Sequence, residues 1–192
     1  MATDGTSPGP SRRNGTTVAN ASSAIPRPRL VIVGTSVIDV ITSAGGLSVD
    51  RTMAGWQVEA YLPHVDDTVP LRIIGAIPAP LASLTDSAGR VAHITAMAVN
   101  VAICDQHPTF RQRLSTWFAR DLTELFVWGN PLPLNMIDHM HAVASPISNA
   151  AVVFKRQALH AAGTDSAVGR TESFHSGSRR RERSGRPRAK LG

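Results

Sequence analysis

The chain has one cysteine, Cys104, among its 192 residues. A single cysteine cannot form an intramolecular disulfide, and it cannot supply a cysteine-based zinc cluster. Because no basic partner for the thiol is evident in the sequence, we expect Cys104 to pack as a small apolar residue. A chain without disulfides fits a reducing compartment, so we expect a cytoplasmic protein.

Long hydrophobic runs are also lacking. The longest apolar stretch, from Val91 to Cys104, has 14 residues and includes His93 and Asn100. A helix that spans a bilayer needs ~20 predominantly apolar residues, and the N-terminus lacks the apolar region of a signal peptide. The sequence therefore predicts a soluble protein with no membrane partner.

Large apolar side chains are scarce at both ends of the chain. Residues 1–28 are mostly Ser, Thr, Gly, Pro, Asn and Ala, and residues 164–192 are similar but richer in Arg. Such segments cannot bury enough apolar surface to offset the entropy of ordering. We therefore expect a disordered N-terminal arm over 1–28, one α/β domain over 29–163, and a disordered Arg-rich tail over 164–192.

The net charge of +6 is concentrated at the ends, since residues 30–169 sum to −3. Clustered guanidinium groups bind polyanions without sequence preference and with strong salt dependence. The same composition is typical of a solvated end, and Arg outnumbers Lys 18 to 2 in the whole chain, which also suggests a biased genome. Binding of nucleic acid and plain solvation therefore both stay open as interpretations of this segment. The residues predicted to contact nucleic acid weakly are Arg179, Arg180, Arg181, Arg183, Arg186 and Arg188.

The segment "RLVIVGTSVID" predicts a strand that leads into a helix. The β-branched strand over 29–34 precedes Ser36 and Asp39, whose spacing matches a capping box, so the helix should begin near Val37. Gly45-Gly46 interrupts the helical pattern and indicates a kink or a close backbone approach. A second strand, "WQVEAYLP", follows Gly55. A strand–helix–strand unit of this length implies a parallel sheet.

The rest of the domain continues in the same pattern. We expect a third strand at about 71–76 with its direction open, a helix that begins at Pro108, and a strand at "TELFVWGN". The segment 91–104 fits either a helix or a strand, and its β-branched residues favour a strand at about 92–99 followed by a loop. Ser145 should cap a last helix that starts at Pro146 and ends at Gly163, after a shorter helical piece at about 134–143. The fold class predicted is a single three-layer Rossmann-like domain with a mostly parallel sheet of about five strands.

The turn after the first strand has two interpretations. Backbone N–H groups at a helix N-terminus commonly bind phosphates or carboxylates, which makes Gly34, Thr35 and Ser36 candidate cofactor-binding residues. The dinucleotide fingerprint G-x-G-x-x-G is missing its second and third glycines, and Asp39 adds a negative charge nearby. Plain helix capping is therefore the alternative to a ligand site.

The segments "VGTSVID" and "AGWQVEAYL" resemble a pattern found in flavin-binding decarboxylases of the Rossmann-like class. In that pattern a strand leads through glycine, serine and an apolar residue into a helix, and another glycine precedes the second strand. The resemblance covers about 35 residues and implies a flavin or another phosphate-bearing ligand. It does not imply catalysis, because no further motif of that family follows downstream.

Other polar groups suggest weaker sites. Asp66, or its neighbour Asp67, follows the second strand and could bond a ribose hydroxyl, although surface loops are rich in Asp. The "DHMH" segment places Asp138 and His141 at helical spacing i, i+3, but two ligands do not make a metal site. No sequence pattern indicates that His107 or His160 lies near Asp138 and His141. We therefore expect no bound metal. No G-x-S-x-G nucleophile motif is present.

Three hypotheses about function follow. The first is a domain that binds a small molecule or nucleotide, a flavin among them, at Gly34–Ser36. The second is a non-catalytic protein-interaction or regulatory protein, and the third is a nucleic-acid accessory protein that uses its basic tail. No complete set of catalytic groups is evident, so the sequence leaves enzymatic activity and oligomeric state open.

Overall fold

The computed structural model describes residues 27–86, 94–120, 124–129 and 140–177, with side chains undescribed at 118–120. The described strands are β1 (Arg29–Val33), β2 (Gln57–Leu62), β3 (Ile77–Pro80), β4 (Ala96–Asn100), β5 (Glu124–Trp128), β6 (His141–Pro146) and β7 (Thr171–Gly177). The described helices are α1 (Val37–Met53), α2 (Val69–Ile73), α3 (Leu81–Asp86), α4 (Val101–Gln106), α5 (Pro108–Arg120) and α6 (Asn149–Ala161).

The strands form one seven-stranded sheet in the order β3-β2-β1-β4-β5-β7-β6. Strands β1 to β5 pair in parallel, whereas β7 is antiparallel to both of its neighbours, β5 and β6. The predicted α/β class is confirmed, but the estimate of about five mostly parallel strands is wrong because the sheet is mixed and has seven. The estimate failed because β6 and β7 lie where the sequence pattern indicated a helix and a tail.

Two hydrophobic clusters cover the two faces of the sheet. Alternate residues of a strand point to opposite faces, so Leu30 and Ile32 pack in the cluster that includes α1 and α6, while Val31 and Val33 pack in the cluster that includes α4 and α5. All four of these side chains are fully buried. Helices on both faces explain why β1 is a continuous apolar run.

The first strand–helix–strand unit agrees with the sequence prediction. The Ser36 side chain accepts a hydrogen bond from the Asp39 N–H at 3.1 Å, which caps α1 at the expected residue. Gly55 follows α1 with a φ of 83°, a conformation that glycine adopts without steric cost. The second strand lies beside the first in parallel register.

The strand predicted at 71–76 is wrong. Pro70 lies in the first turn of the short helix α2, where its missing N–H costs nothing, and Leu71 and Ile74 are buried. The third strand is instead β3, four residues long and parallel to β2. The connection is long enough for a parallel crossover because it contains α2.

The region around residue 100 agrees in part. The expected strand is present as β4, but the expected loop after it is the helix α4, whose N-cap is Asn100. The helix that begins at Pro108 is confirmed, and Phe110, Leu114 and Trp117 on one of its faces are buried. An apolar pattern as short as that of α4 does not distinguish a helical turn from a loop.

The C-terminal part differs most from the prediction. Ser145 and Pro146 end β6 instead of starting a helix, and the N-cap of α6 is Ser148, whose hydroxyl accepts from the Ala151 N–H. Residues 141–143, expected in a helical piece, are also in β6; residues 134–139 lie outside the described part of the chain. The boundary drawn after residue 163 is wrong, because 171–177 form β7 inside the sheet.

Candidate functional site

The strand order changes direction between β1 and β4, since the chain continues from β1 to β2 on one side and returns to β4 on the other. At such a switch point the segments after the strands diverge and leave a crevice at the carboxyl edge of the sheet. Gly34, Thr35 and Ser36 follow β1 at this edge, Asn100 ends β4, and Trp128 ends β5.

The carboxylate of Asp39, which is partly buried, accepts hydrogen bonds from three of these segments. Its Oδ2 accepts from the Thr35 N–H at 2.8 Å, the Thr35 hydroxyl at 3.0 Å and the Asn100 amide at 2.9 Å. Its Oδ1 accepts from the Trp128 indole N–H at 2.9 Å. We call Thr35, Asp39, Asn100 and Trp128 the Asp39 cluster.

The Asp39 cluster shows which interactions the turn after β1 makes inside the protein. In a capping box the acid bonds the N–H of the N-cap residue, but Asp39 instead reaches Thr35, one residue earlier. Gly34 permits this close approach, because a Cβ there would lie 2.4 Å from Val40 Cγ2 and 3.0 Å from Asp39 Oδ2. The turn therefore caps α1 and also holds an internal carboxylate.

A cavity of about 440 Å³ is lined in part by Trp128, which is also a member of the Asp39 cluster. The Trp128 ring also packs edge-on against Phe174, with ring centroids 6.4 Å apart. Ser173 and His175 supply polar groups on the cavity wall. The lining residues are Trp128, Gly129, Ala142, Val143, Ala144, Ser173, Phe174 and His175.

The other residues predicted from the sequence are more scattered. Asp66 and Asp67 are exposed in the segment after β2, and Asp67 accepts a hydrogen bond from the Val69 N–H. Neither is joined to the Asp39 cluster by a hydrogen bond among the described residues. The predicted role of Asp66 in ligand binding stays a prediction, and the six arginines of the tail lie outside the described residues.

The histidines and the cysteine do not assemble into a metal centre. His160 pairs with Asp165 on the surface, and Cys104 is buried, with its pKa raised to about 11 by loss of solvation and by the charge of Asp105. Within the four described ranges, no group of three or more His, Cys, Asp or Glu side chains lies close enough to hold a metal ion. Asp138 and His139 of the "DHMH" segment fall outside those ranges.

The sequence interpretation missed Asn100 and Trp128. The sequence places Asn100 in an apolar run and Trp128 at the end of a predicted strand, and no local pattern links either residue to Asp39. The available indication was their position, because the last residues of neighbouring parallel strands meet at one edge of the sheet. That rule requires the strand order, which spacing along the chain does not give.

Comparison with known proteins finds similarity in structure alone. No family model and no curated protein sequence matches the chain. The structure is similar to that of the A40926 pseudoaglycone deacetylase, with a TM-score of 0.52 and 13% identity over 80% of this chain and 97% of that one. It is also similar to the zinc-inhibited form of teicoplanin deacetylase, with a TM-score of 0.53 and 12% identity over 78% of this chain and 98% of that one.

These similarities define the class of fold, an α/β fold that the chain shares with the A40926 pseudoaglycone deacetylase and with a deacetylase of the teicoplanin biosynthetic pathway. At 12–13% identity they establish the fold and leave the activity open. None of the helices in the described part of the chain has the length and apolar character needed to cross a membrane.

Proposed function

We propose that the protein binds a small, uncharged polar molecule at the carboxyl edge of β1, β4 and β5. The supporting observation is the Asp39 carboxylate, which accepts hydrogen bonds from Thr35, Asn100 and Trp128. These bonds fix polar groups from three elements before any ligand arrives. Preformed polar groups at a switch point are typical of ligand sites in Rossmann-like and other open α/β folds.

The charge of Asp39 supports a neutral ligand. A helix N-terminus acts as about half a positive charge, whereas the Asp39 carboxylate brings a full negative one to the same turn. It also accepts the Thr35 N–H, one of the donors that a phosphate at Gly34–Ser36 would use. A flavin or nucleotide, the ligand class expected from the sequence, is therefore the alternative occupant of the same edge.

The neighbouring cavity supports a ligand of modest size. Its volume of about 440 Å³ lies within the range of roughly 300–1,000 Å³ that is usual for small-molecule pockets. Ser173 and His175 are among the residues that line it, and a hydroxyl and an imidazole can hydrogen-bond a hydroxyl or amide group. Sugars and acylated amino sugars have this combination of groups.

Amide hydrolysis is the second candidate function, because the similar structures are those of deacetylases. One of those structures is described as zinc-inhibited, but the described residues of this chain do not fit a zinc site. We therefore derive no metal-dependent step. The activity is tested directly by incubating the protein with N-acetylglucosamine, with and without added zinc, and measuring release of acetate.

The binding proposal is tested by nuclear magnetic resonance with ¹⁵N-labelled protein. Addition of N-acetylglucosamine should shift the amide resonances of Thr35, Ser36 and Gly129, while Arg29 and Glu124 at the opposite edge of the sheet should stay unchanged. A parallel titration with flavin mononucleotide tests the phosphate-bearing alternative. Gln112→Ala, at an exposed position of α5, is the control variant and should bind as the unmodified protein does. The proposal is abandoned if no ligand of a sugar, flavin and nucleotide panel shifts the resonances of this edge.

A further inference from the structure

Lys155 of α6 and Glu172 of β7 form an ion pair in the interior of the protein. Lys155 Nζ lies 2.6 Å from Glu172 Oε1, and the two side chains are 6% and 1% exposed. Burial of two charges is costly unless their remaining hydrogen-bonding groups are also satisfied. The other hydrogen-bond partners of Lys155 and Glu172 therefore indicate the structural role of the ion pair.

Both side chains complete their hydrogen bonds on the backbone of α1. Lys155 Nζ donates to the Thr42 carbonyl at 2.7 Å. Glu172 accepts from the Gly46 N–H at 2.7 Å and from the Leu47 N–H at 2.9 Å. In a regular α-helix the Gly46 N–H donates to the Thr42 carbonyl. The ion pair therefore bonds both the donor and the acceptor of one backbone hydrogen-bond position of α1.

The two glycines allow close packing on this part of α1, Gly45 against Lys155 and Gly46 against Ile147. A Cβ at Gly45 would lie 3.4 Å from Lys155 Cγ, and a Cβ at Gly46 would lie 2.5 Å from Ile147 Cγ2. The close backbone approach that Gly45-Gly46 indicated in the sequence is thereby confirmed. Side chains that enter the hydrogen-bond ladder are one of the established causes of helix bending.

We propose that Lys155 and Glu172 are positioning residues that set the direction of the first half of α1 and hence the location of Asp39. Asp39 lies in the first turn of α1, ahead of the inserted pair. Strand β7 also contacts the Asp39 cluster through Phe174, two residues after Glu172. Phe174 packs on the ring of Trp128, and the indole N–H of Trp128 donates a hydrogen bond to Asp39. The relevance to ligand binding rests on the proposed function, whereas the effect on Asp39 is measurable without ligand.

Loss of both charges should leave a folded protein. Without the pair, the Gly46 N–H can donate to the Thr42 carbonyl and the Leu47 N–H to the Ser43 carbonyl, as in any regular helix, so these buried backbone groups still have partners. Replacement of a buried ion pair by apolar residues of similar volume is often tolerated, whereas removal of one partner leaves an unpaired buried charge. The double variant is therefore the informative one.

The test compares Lys155→Met/Glu172→Leu with the unmodified protein by ¹H–¹⁵N spectra. The reporters are the Trp128 indole N–H and the Asn100 side-chain amide, which bond the Asp39 carboxylate from two different strands. Both resonances should shift, and the Trp117 indole on the opposite face of the sheet should not. A role limited to stability would leave the Asn100 amide in place.

The matched control is Arg51→Met/Glu124→Gln, which removes another ion pair of α1, one whose side chains are 25% and 39% exposed. This control should leave the Trp128 and Asn100 resonances where they are. If Lys155→Met/Glu172→Leu does not fold, Gly45→Ala replaces it. The added methyl group would lie 3.4 Å from both Lys155 Cγ and Ile41 Cγ2, and it should produce a smaller shift of both reporters.

The proposal is overturned if both reporters stay in place in a folded variant of either kind. It is also overturned if the control pair moves them by as much as Lys155→Met/Glu172→Leu does. If the reporters move as expected while no sugar, flavin or nucleotide binds the protein, the positioning role holds and only the proposed function fails.

Discussion

The β1–α1–β2 unit and the β6–α6–β7 unit lie in the same sheet, yet only the first follows from its sequence pattern. In the first unit the strands are neighbours and pair in parallel, and the helix cap is the expected Ser36. In the second unit β7 turns back antiparallel between β5 and β6, and the cap is Ser148 instead of the expected Ser145.

The difference lies in the range of the contacts that hold each unit. Ser36 and Asp39 are three residues apart, so their pattern is visible in a short window of sequence. Glu172 bonds Gly46 across 126 positions, and no local pattern contains that information. A β7 segment with alternating polar residues, "TESFHSG", resembles a tail until its partners are known, because Glu172 and Phe174 are buried only by the rest of the fold.

The largest expected effect is the loss of cooperative folding when the chain is cut after residue 163. The truncation removes β7, leaves β6 without its pairing strand and leaves Lys155 buried without Glu172. Breaking one buried ion pair alone costs about 3–5 kcal/mol, a large part of the roughly 5–15 kcal/mol that stabilises a typical domain. Thermal melts followed by circular dichroism test this expectation.

A cut after Gly177 is the control for that truncation. It removes the last 15 residues and keeps β7, so the melting temperature should stay close to that of the full chain. This shorter protein also tests the predicted affinity of the six tail arginines for nucleic acid, which should fall on truncation and with rising salt. A cooperative melt for the chain cut at 163 would show that β7 is dispensable.

The next largest expected effect is a difference in stability between alanine substitutions at two adjacent glycines of α1. Gly46→Ala should destabilise the protein by about 1–3 kcal/mol, because the new Cβ would overlap Ile147 Cγ2 and force Ile147 to move. Gly45→Ala should cost less, since its Cβ would meet Ile41 and Lys155 at ordinary contact distances. Urea denaturation of both variants measures the difference, and equal costs would contradict the close approach of Ile147.

The candidate site was predictable only in part. The turn at Gly34–Ser36 and the acid that follows it are visible in the sequence, as is the expectation that they lie at the carboxyl edge of a strand. Asn100 and Trp128 were not predictable, because they meet Asp39 from 61 and 89 positions away. Their assembly depends on β4 and β5 following β1 in the sheet, which is a property of the topology.

The helix caps give an effect of intermediate size and distinguish the predicted cap of α6 from the observed one. Ser148→Ala should cost about 0.5–2 kcal/mol, because the Ala151 N–H loses its acceptor. Ser145→Ala should be close to neutral, since Ser145 lies in the edge strand β6. Ser36→Ala in the first unit should match Ser148→Ala. Chemical denaturation of the three variants tests the order, and a cost at Ser145 equal to that at Ser148 would contradict the assignment.

The smallest expected effect concerns Glu59 of β2 at acidic pH. Burial raises the pKa of this carboxyl, but hydrogen bonds from Tyr61 and Arg29, together with the charge of Arg29, outweigh burial and hold the pKa below its ordinary value of 4.5. The folded protein therefore binds a proton at Glu59 less readily than the unfolded chain does. The resulting stabilisation is fully present above about pH 4.5 and is lost as the pH falls through the lower, folded-state pKa.

Glu59→Gln removes this contribution, so the variant should be less stable than the unmodified protein at pH 7, with a difference that narrows as the pH falls below about 4.5. Tyr61→Phe is the matched variant, because it removes one donor at 2.7 Å from the carboxylate and should move the acid transition part of the way toward that of Glu59→Gln. Stability measured in urea from pH 3 to pH 7, a range set about the ordinary carboxyl pKa, tests both. A constant difference across that range would mean that Glu59 titrates alike in the folded and unfolded chains, and the bonds from Tyr61 and Arg29 would then not favour its charged form.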